Sequence, residues 1–280
     1  MAKSIMVQGT ASGVGKTVLT LALCRIFKED GLSVAPFKAQ NMTANTAFTE
    51  NGDEIAVSQW LQAAAAGTAP DARMNPVILK PSPCGQGTQV VLGGKSYGAV
   101  DAHNFARLKE VLAPQIMDAY TSLREQYDVL VVEGAGSPAE LNLSRDDVVN
   151  MGMATRGSIP VLLAADIDRG GVFAALYGTV NLLSKPERDH IKAVIVNRFR
   201  GDVSLFGEGV EILEKITGLP VAGVIPFIGI NLPEEDDLPG LGAQPCVPGP
   251  RIEEEFDRIA QTVRGALNME LIYKILDDGV

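Results

Sequence analysis

The sequence predicts an α/β fold: a doubly wound, mostly parallel sheet with flanking helices. Three observations carry that prediction. Short apolar runs of strand length alternate with longer segments of helical spacing, in the order βαβα. The runs at residues 128–132, 159–164, 193–196 and 221–224 are almost continuously apolar, as strands covered on both faces are. The composition, 46% hydrophobic, 21% charged and 5% aromatic over 280 residues, is that of a globular chain long enough to bury a substantial core.

Taken in order, residues 4–8 read as the first strand, 16–30 as a helix closed by Gly31, and 33–37 as the second strand. Residues 55–66 read as an Ala-rich helix. Residues 88–92 form a short β-branched run, and Gly93-Gly94 after it suggests a hairpin turn. Residues 101–126 contain a long amphipathic helix, capped by Asp101 and interrupted near Pro114. Helices at 172–183 and 204–216 fall between the later apolar runs. Residues 232–250 are rich in Pro, Gly and acidic side chains and read as a linker or loop. Phe256, Ile259, Val263, Leu267, Leu271 and Ile275 then recur at helical spacing, so 253–276 is expected as a terminal helical segment packed on the body or on a partner. The expected organisation is a nucleotide-binding unit over 1–237, followed over 238–280 by the linker and helical segment.

Charge and cysteines narrow the function classes. Lys plus Arg total 24 against 34 Asp plus Glu, a net charge of -10, which argues against a nucleic-acid coat or a binder of anionic membranes. An uncharged apolar stretch of about eighteen residues is absent, so no transmembrane span is expected. Cys24, Cys84 and Cys246 lie far apart, without CxxC or Cys/His ligand spacing. That fits a reducing, cytoplasmic setting rather than a disulfide framework or structural zinc. The first residues carry no long apolar stretch, so a signal peptide is not expected. His103 and His190 lie in polar, helical surroundings and read as surface residues.

The sharpest motif is Gly9–Thr17, which follows the first strand and opens a helix, the setting of a P-loop NTPase. Backbone N–H groups around Gly13, Val14 and Gly15 would turn onto phosphate oxygens at a helix N-terminus. Lys16 would reach the β- and γ-phosphates of ATP, and the Thr17 hydroxyl would ligate Mg²⁺. Gly9 leaves five residues before the Gly-Lys pair, one more than the generic pattern, so Thr10 occupies the place of the usual first glycine. Ala11 stands where partition-type ATPases carry a second lysine, which argues against a dimerising cargo-positioning ATPase.

Other candidates sit at strand ends, where open α/β sheets bind ligands. Glu133 closes an apolar strand and is a candidate Mg²⁺ ligand; alone, such an acid is as often an ordinary strand end. Asp166, Asp168 and Arg169 repeat the arrangement on the next strand. They suit metal or substrate contacts, and equally a helix cap by Asp168 beside a tight glycine turn. Lys38 follows the second strand and could stabilise a transferring phosphoryl group, or could be a solvated surface lysine. Asn75 lies in a polar-basic segment with the same ambiguity. Asn197 has an amide able to read an adenine edge, whereas Arg198 and Arg200 suit carboxylates.

Together the stretches VQGTASGVGKT, APFKAQNM, DARMNPVILKP, VVEGAGSPAELNL, DDVVNMGMA, ADIDRGGVFA, VNRFRGD and GVIPF resemble the synthetase domain of the cobyric acid synthase family. They span residues 4 to about 237. A more distant resemblance, in the phosphate loop and VEGAG, is to dethiobiotin synthetase. The resemblance implies an ATP-dependent C–N ligase of cobalamin biosynthesis. ATP phosphorylates a corrinoid side-chain carboxylate, and ammonia displaces the phosphate to give an amide. It implies that Gly13, Gly15, Lys16 and Thr17 hold phosphates and that Glu133 holds Mg²⁺. Lys38, Gln40 and Asn41 would line the reacting centre, with Asn75 and Arg200 among the substrate contacts. Asn197 would meet the base, and Asp166, Asp168 and Arg169 would organise the space between ATP and corrinoid. Two features depart from the family. No glutaminase triad is present, so ammonia or a separate glutaminase subunit is expected as nitrogen source. Residues 52–60 lack the Arg the family pattern carries near Val57. A homodimer is a further expectation. The alternatives are a relative activating another carboxylate, such as cobyrinic acid a,c-diamide synthase or dethiobiotin synthetase, and a non-catalytic ATP-binding assembly module. Ala11 and the RFRGD and DIDRGG segments argue against the last.

Overall fold

The computed structural model describes residues 2–81, 87–100, 102–142, 147–232 and 249–280. In chain order its elements are β1 (Lys3–Gly9), α1 (Lys16–Glu29), β2 (Val34–Phe37), β3 (Gln40–Met42), β4 (Thr46–Phe48), β5 (Glu54–Ala56), α2 (Val57–Ala65), β6 (Val77–Pro81), β7 (Thr88–Leu92) and β8 (Lys95–Val100). There follow α3 (Ala102–Arg124), β9 (Val129–Glu133), α4 (Met151–Gly157), β10 (Val161–Asp166), α5 (Val172–Leu182), α6 (Lys185–Arg188), β11 (Ile191–Phe199), α7 (Gly207–Thr217), β12 (Val221–Pro226), α8 (Pro250–Ala266) and α9 (Met269–Asp278).

The main sheet has the order β12-β11-β10-β1-β9-β2, and every neighbouring pair is parallel. The four apolar runs are β9, β10, β11 and β12. Ile5, Met6 and Val7 of β1 and Val131 and Val132 of β9 are fully buried, because helices cover both faces. The chain crosses β1 between β9 and β10, so the strand order switches direction there. A switch of this kind opens a crevice beyond the C-terminal ends of β1, β9 and β10.

Smaller sheets stand beside this body. One has the order β3-β6-β7-β8, and β4 pairs antiparallel with β5. The Gly93-Gly94 hairpin joins β7 to β8 as expected. Strands β3 to β5 escape a sequence reading because each has three residues, too few to show a period. β3 forms because β6 offers a parallel partner, with Thr43 N–H donating to the Leu79 carbonyl at 3.0 Å just beyond it, and β4 and β5 form by pairing with each other.

Three expectations are corrected. Helix α3 runs unbroken through Pro114. Leu112, Ile116, Tyr120 and Leu123 form a buried stripe that crosses the proline and anchors both halves to the core. His190 is buried, not on the surface, with Nδ1 at 3.0 Å from the Ile159 carbonyl. The terminal segment is two helices, α8 and α9, rather than one. Leu267 bridges to Gly223 of β12, Asn268 N–H donates to the Ala222 carbonyl at 2.7 Å, and Asn268 Oδ1 caps α9. Gly223 must be glycine, since a Cβ there would strike the Ala266 carbonyl.

The terminal helices pack on the body. Phe256, Ile259 and Val263 of α8 are fully buried, and Arg25 of α1 pairs with Glu253 at 2.9 Å and Asp257 at 2.5 Å. Cys24 is buried, which raises its thiol pKa through desolvation and then through the charge of Glu133. Asp101, Cys84, Cys246, the side chain of His103 and most of the 232–250 linker lie outside the described residues. Among the described residues no helix is long and apolar enough to cross a membrane.

Candidate active site at the end of the central strand

The loop after β1 has the backbone of an anion cradle. Gly13 and Gly15 take φ of 73° and 96°, which side-chain-bearing residues rarely adopt. Gly15 is the N-cap of α1, and a Cβ there would also collide with the Asn197 amide. Neither a side-chain cap nor an acidic residue of the helix itself fills the first turn of α1, so the positive end of its dipole faces the loop. Lys16 is buried and its Nζ donates to the carbonyls of Ala11 and Gly136, both at 2.9 Å.

Sheet register brings the other groups to this loop. Val7 of β1 pairs with Glu133 of β9, and Phe37 of β2 pairs with Val132. Lys38, one residue beyond β2, therefore lies beside Glu133. Glu133 is 1% exposed. Its Oε1 accepts from Thr17 Oγ1 and Lys38 Nζ, each at 2.8 Å, and its Oε2 accepts from Gln62 Nε2 at 2.7 Å. Such a buried carboxylate is stable because a cation and two neutral donors satisfy it. The surface reading of Lys38 is overturned: the residue is 5% exposed.

This donor set suits Mg²⁺. A carboxylate and a hydroxyl, 2.8 Å apart beside a phosphate cradle, supply hard oxygen ligands. Among the described residues no group of three or more His, Cys, Asp or Glu could hold a metal, so phosphate and water oxygens would complete the shell.

A cavity of about 410 Å³ opens over these groups. Gly13, Gly15, Lys16, Thr17, Lys38, Asn41, Glu133 and Arg198 form its polar lining, and Val57, Leu61, Ile230 and Leu232 its apolar wall. A larger cavity of about 1120 Å³ lies at the opposite end of β1 and β9. Its charges satisfy one another, as in Lys3–Asp277 at 2.7 Å and Arg264–Asp30 at 2.9 Å. Chemistry rather than size locates the site.

Asp166, Asp168, Arg169 and Arg200 form a rim of ion pairs beside the loop. Arg198 Nη1 donates to Asp166 Oδ2 at 3.1 Å, with Arg169 Nε at 3.8 Å from the same oxygen. Arg200 Nε donates to Asp168 at 2.6 Å while its guanidinium stacks 3.6 Å over the Phe227 ring. That hydrogen bond holds the Asp168 carboxyl below the usual carboxylate range. Asp168 does not cap α5, whose N-cap is Gly171. Asn197 is buried and pinned: its Nδ2 donates to the Val14 carbonyl at 2.8 Å, and its Oδ1 accepts from Arg198 N–H at 2.9 Å. It therefore holds the phosphate loop in place. Arg198 has φ of 62°, a strained backbone that the Asn197 and Asp166 contacts enforce.

Asn197 and the ion-paired Asp166, Asp168, Arg169 and Arg200 do not line the cavity, and two further sequence candidates also lie off its wall. Gln40 is half-buried in β3. Asn75 is wholly buried, and its Nδ2 donates to the Lys38 carbonyl at 2.9 Å, so it braces the lysine from behind. Sequence reasoning missed Gln62, Gln59 and Asn150. The glutamines had a signal, two amides three residues apart in an Ala-rich helix. Asn150 had none; its amide pairs with the Ala135 N–H at 3.0 Å and carbonyl at 2.6 Å, fixing the loop that offers the Gly136 carbonyl to Lys16.

The chain is similar to known proteins in sequence and in fold. The cobyric acid synthases of Salmonella gallinarum and Salmonella typhimurium are each 55% identical over 238 residues, 85% of this chain and 47% of theirs. The chain thus spans about half the length of the curated relatives it matches. Among solved structures, FtsY from Elizabethkingia anophelis in complex with GDP aligns with a TM-score of 0.46 and 18% identity, covering 80% of this chain and 57% of that one. MinD from Aquifex aeolicus aligns at 0.44 and 16%, covering 94% and 98%. The CobQ/CobB/MinD/ParA nucleotide binding domain matches residues 5–237, and the chain belongs to that family.

Proposed function

We propose that the chain is the ATP-dependent synthetase unit of a cobyric acid synthase, a C–N ligase. It would convert side-chain carboxylates of adenosylcobyrinic acid a,c-diamide to the amides of adenosylcobyric acid, in the cytoplasm. The observation that carries this reading is buried Glu133 held by Thr17 and Lys38 at the mouth of the phosphate loop. The 55% identity to cobyric acid synthases supports the corrinoid as substrate.

In this reading the loop N–H groups and Lys16 bind the β- and γ-phosphates of ATP. Thr17 and Glu133 hold Mg²⁺, which supplies charge neutralisation on the phosphates. Lys38 sits where it can stabilise charge on the moving phosphoryl group. A substrate carboxylate oxygen bonds to the γ-phosphorus as the bond to the ADP oxygen breaks. The ammonia lone pair then attacks the acyl carbon, phosphate leaves with the bonding electrons, and the nitrogen loses a proton. Asn41, with Gln40 behind it, marks the acceptor side. Arg198 and Arg200 suit the remaining carboxylates; Asp166, which Arg169 also approaches, holds Arg198 in order, and Asp168 holds Arg200. The apolar wall of Val57, Leu61, Ile230 and Leu232 fits the hydrocarbon face of a macrocycle. Ammonia, free or from a separate glutaminase subunit, is the nitrogen source.

The test is ADP release with adenosylcobyrinic acid a,c-diamide, comparing ammonia with glutamine. Turnover with ammonia is expected, and Lys16→Ala should abolish it. ADP release driven instead by cobyrinic acid or a dethiobiotin precursor would select the other carboxylate-activating relatives. Absence of acid-dependent ADP release would remove the ligase reading.

A further inference from the structure

Three amides link the cation carboxylate to the far wall of the cavity. Gln62 Nε2 donates to Glu133 Oε2 at 2.7 Å. Gln59 Nε2 donates to Gln62 Oε1 at 3.4 Å. Asn41 Nδ2 donates to Gln59 Oε1 at 3.0 Å and to Ser58 Oγ at 3.1 Å. Glu133 and Asn41 both line the cavity, while Gln59 and Gln62 lie behind it, wholly buried. The glutamines share one face of α2 because they are three residues apart.

The direction of this chain of bonds follows from chemistry. An ionised carboxylate only accepts hydrogen bonds. Gln62 must therefore turn its amino group to Glu133 and its carbonyl to Gln59. Gln59 must then donate to Gln62, which turns its own carbonyl to Asn41. One charge thus sets the orientation of three buried amides in turn, and bonds in such a chain polarise one another. Nothing in the phosphate-binding chemistry of the loop requires two buried glutamines behind it.

We propose that Gln62, Gln59 and Asn41 form a positioning relay, coupling occupancy of the Glu133–Thr17 cation site to the orientation of Asn41 on the acceptor wall. This rests on the reading of Glu133 and Thr17 as cation ligands. A cation drawing on the Glu133 oxygens weakens the bond from Gln62, and the change passes along the amides to Asn41. Coupling between sites is reciprocal, so Asn41 and Gln59 must in turn affect cation affinity.

The test compares the affinity of a non-hydrolysable ATP analogue in Mn²⁺ with its affinity in EDTA. The ratio is the gain the cation confers. Gln62→Met, an apolar near-isostere, should cut the gain about tenfold, as loss of an outer-shell partner does. Gln59→Met, which reaches Glu133 through Gln62, should cut it about threefold, and Gln59→Leu, which likewise offers Gln62 no donor, should do the same. Asn41→Leu should lower it about twofold, and the Asn41→Leu/Gln59→Met double variant should lose no more than the larger single. Trp60 emission and a cooperative urea transition show that each variant is folded. A wild-type gain retained in both Gln59 variants, or losses that multiply in the double variant, overturns the relay and leaves the cation site standing. A wild-type protein with no cation-dependent gain overturns the cation site and the relay together.

Discussion

Replacing Lys38 with Met tests the centre of the site. The change removes a buried cation and leaves Glu133, 1% exposed, without its counter-charge. At the observed 2.8 Å the attraction is about 6 kcal/mol at an effective dielectric of 20. Desolvation of both ions offsets part of that, and breaking a buried pair by removing one partner costs about 3–5 kcal/mol. Thr17 and Gln62 still donate to the carboxylate, which places the expectation at the low end, about 3 kcal/mol. For a chain of this size that lowers Tm by about 6 °C. The Lys38→Met/Glu133→Gln double variant removes both charges and should recover much of the loss. Urea unfolding of the wild type, both single variants and the double closes the cycle. Additive losses, or a Lys38→Met loss under about 0.5 kcal/mol, would refute the buried pair. In turnover, Lys38→Met should cost about 10²–10³-fold in kcat, as loss of an electrostatic stabiliser does.

Other outcomes follow from the same contacts. Gly15→Ala should cost about 2–3 kcal/mol, from the left-handed backbone and the lost Asn197–Val14 hydrogen bond, and should abolish nucleotide binding in equilibrium dialysis; an unchanged urea midpoint would contradict it. Asp168→Asn should lower stability above the ordinary carboxylate pKa of 3.8 and converge with wild type in acid. The sign follows because a depressed folded pKa contributes stability that is lost as pH falls through it; a gap that widens in acid would be the wrong sign. Phe256→Ala, at a fully buried position of α8, should cost about 3–5 kcal/mol and speed proteolysis of the terminal helices; a loss under about 1 kcal/mol would show that they do not pack on α1.

Much of the site was legible because its chemistry is local. Gly13, Gly15, Lys16 and Thr17 fall within five residues, so their order along the chain is their order in space. Glu133 was legible because a strand-end acid reaches the crevice of any parallel sheet. Lys38 was ambiguous because its fate turned on which strand would lie beside β2. Asn197 was read as an amide able to meet a base, and Asn75 as part of an ambiguous polar-basic segment. Their roles as braces could not be read, since each bonds a backbone carbonyl far away or around a corner in the chain. Gln59 and Gln62 showed only as two amides three residues apart in an Ala-rich helix, and nothing local told which face of that helix would meet Glu133.

By itself, then, the order of residues determined the α/β class, the phosphate loop and the resemblance to a ligase family, since periodicity, turn chemistry and motif spacing are written in near neighbours. Tertiary structure alone decided that β9 inserts between β1 and β2, which sets Lys38 against Glu133. It also decided that α2 closes the site from behind with two amides, and that the terminal helices cover α1. Each of those depends on strand register and packing between segments tens of residues apart, where the gain comes from pairing and burial that no local pattern encodes.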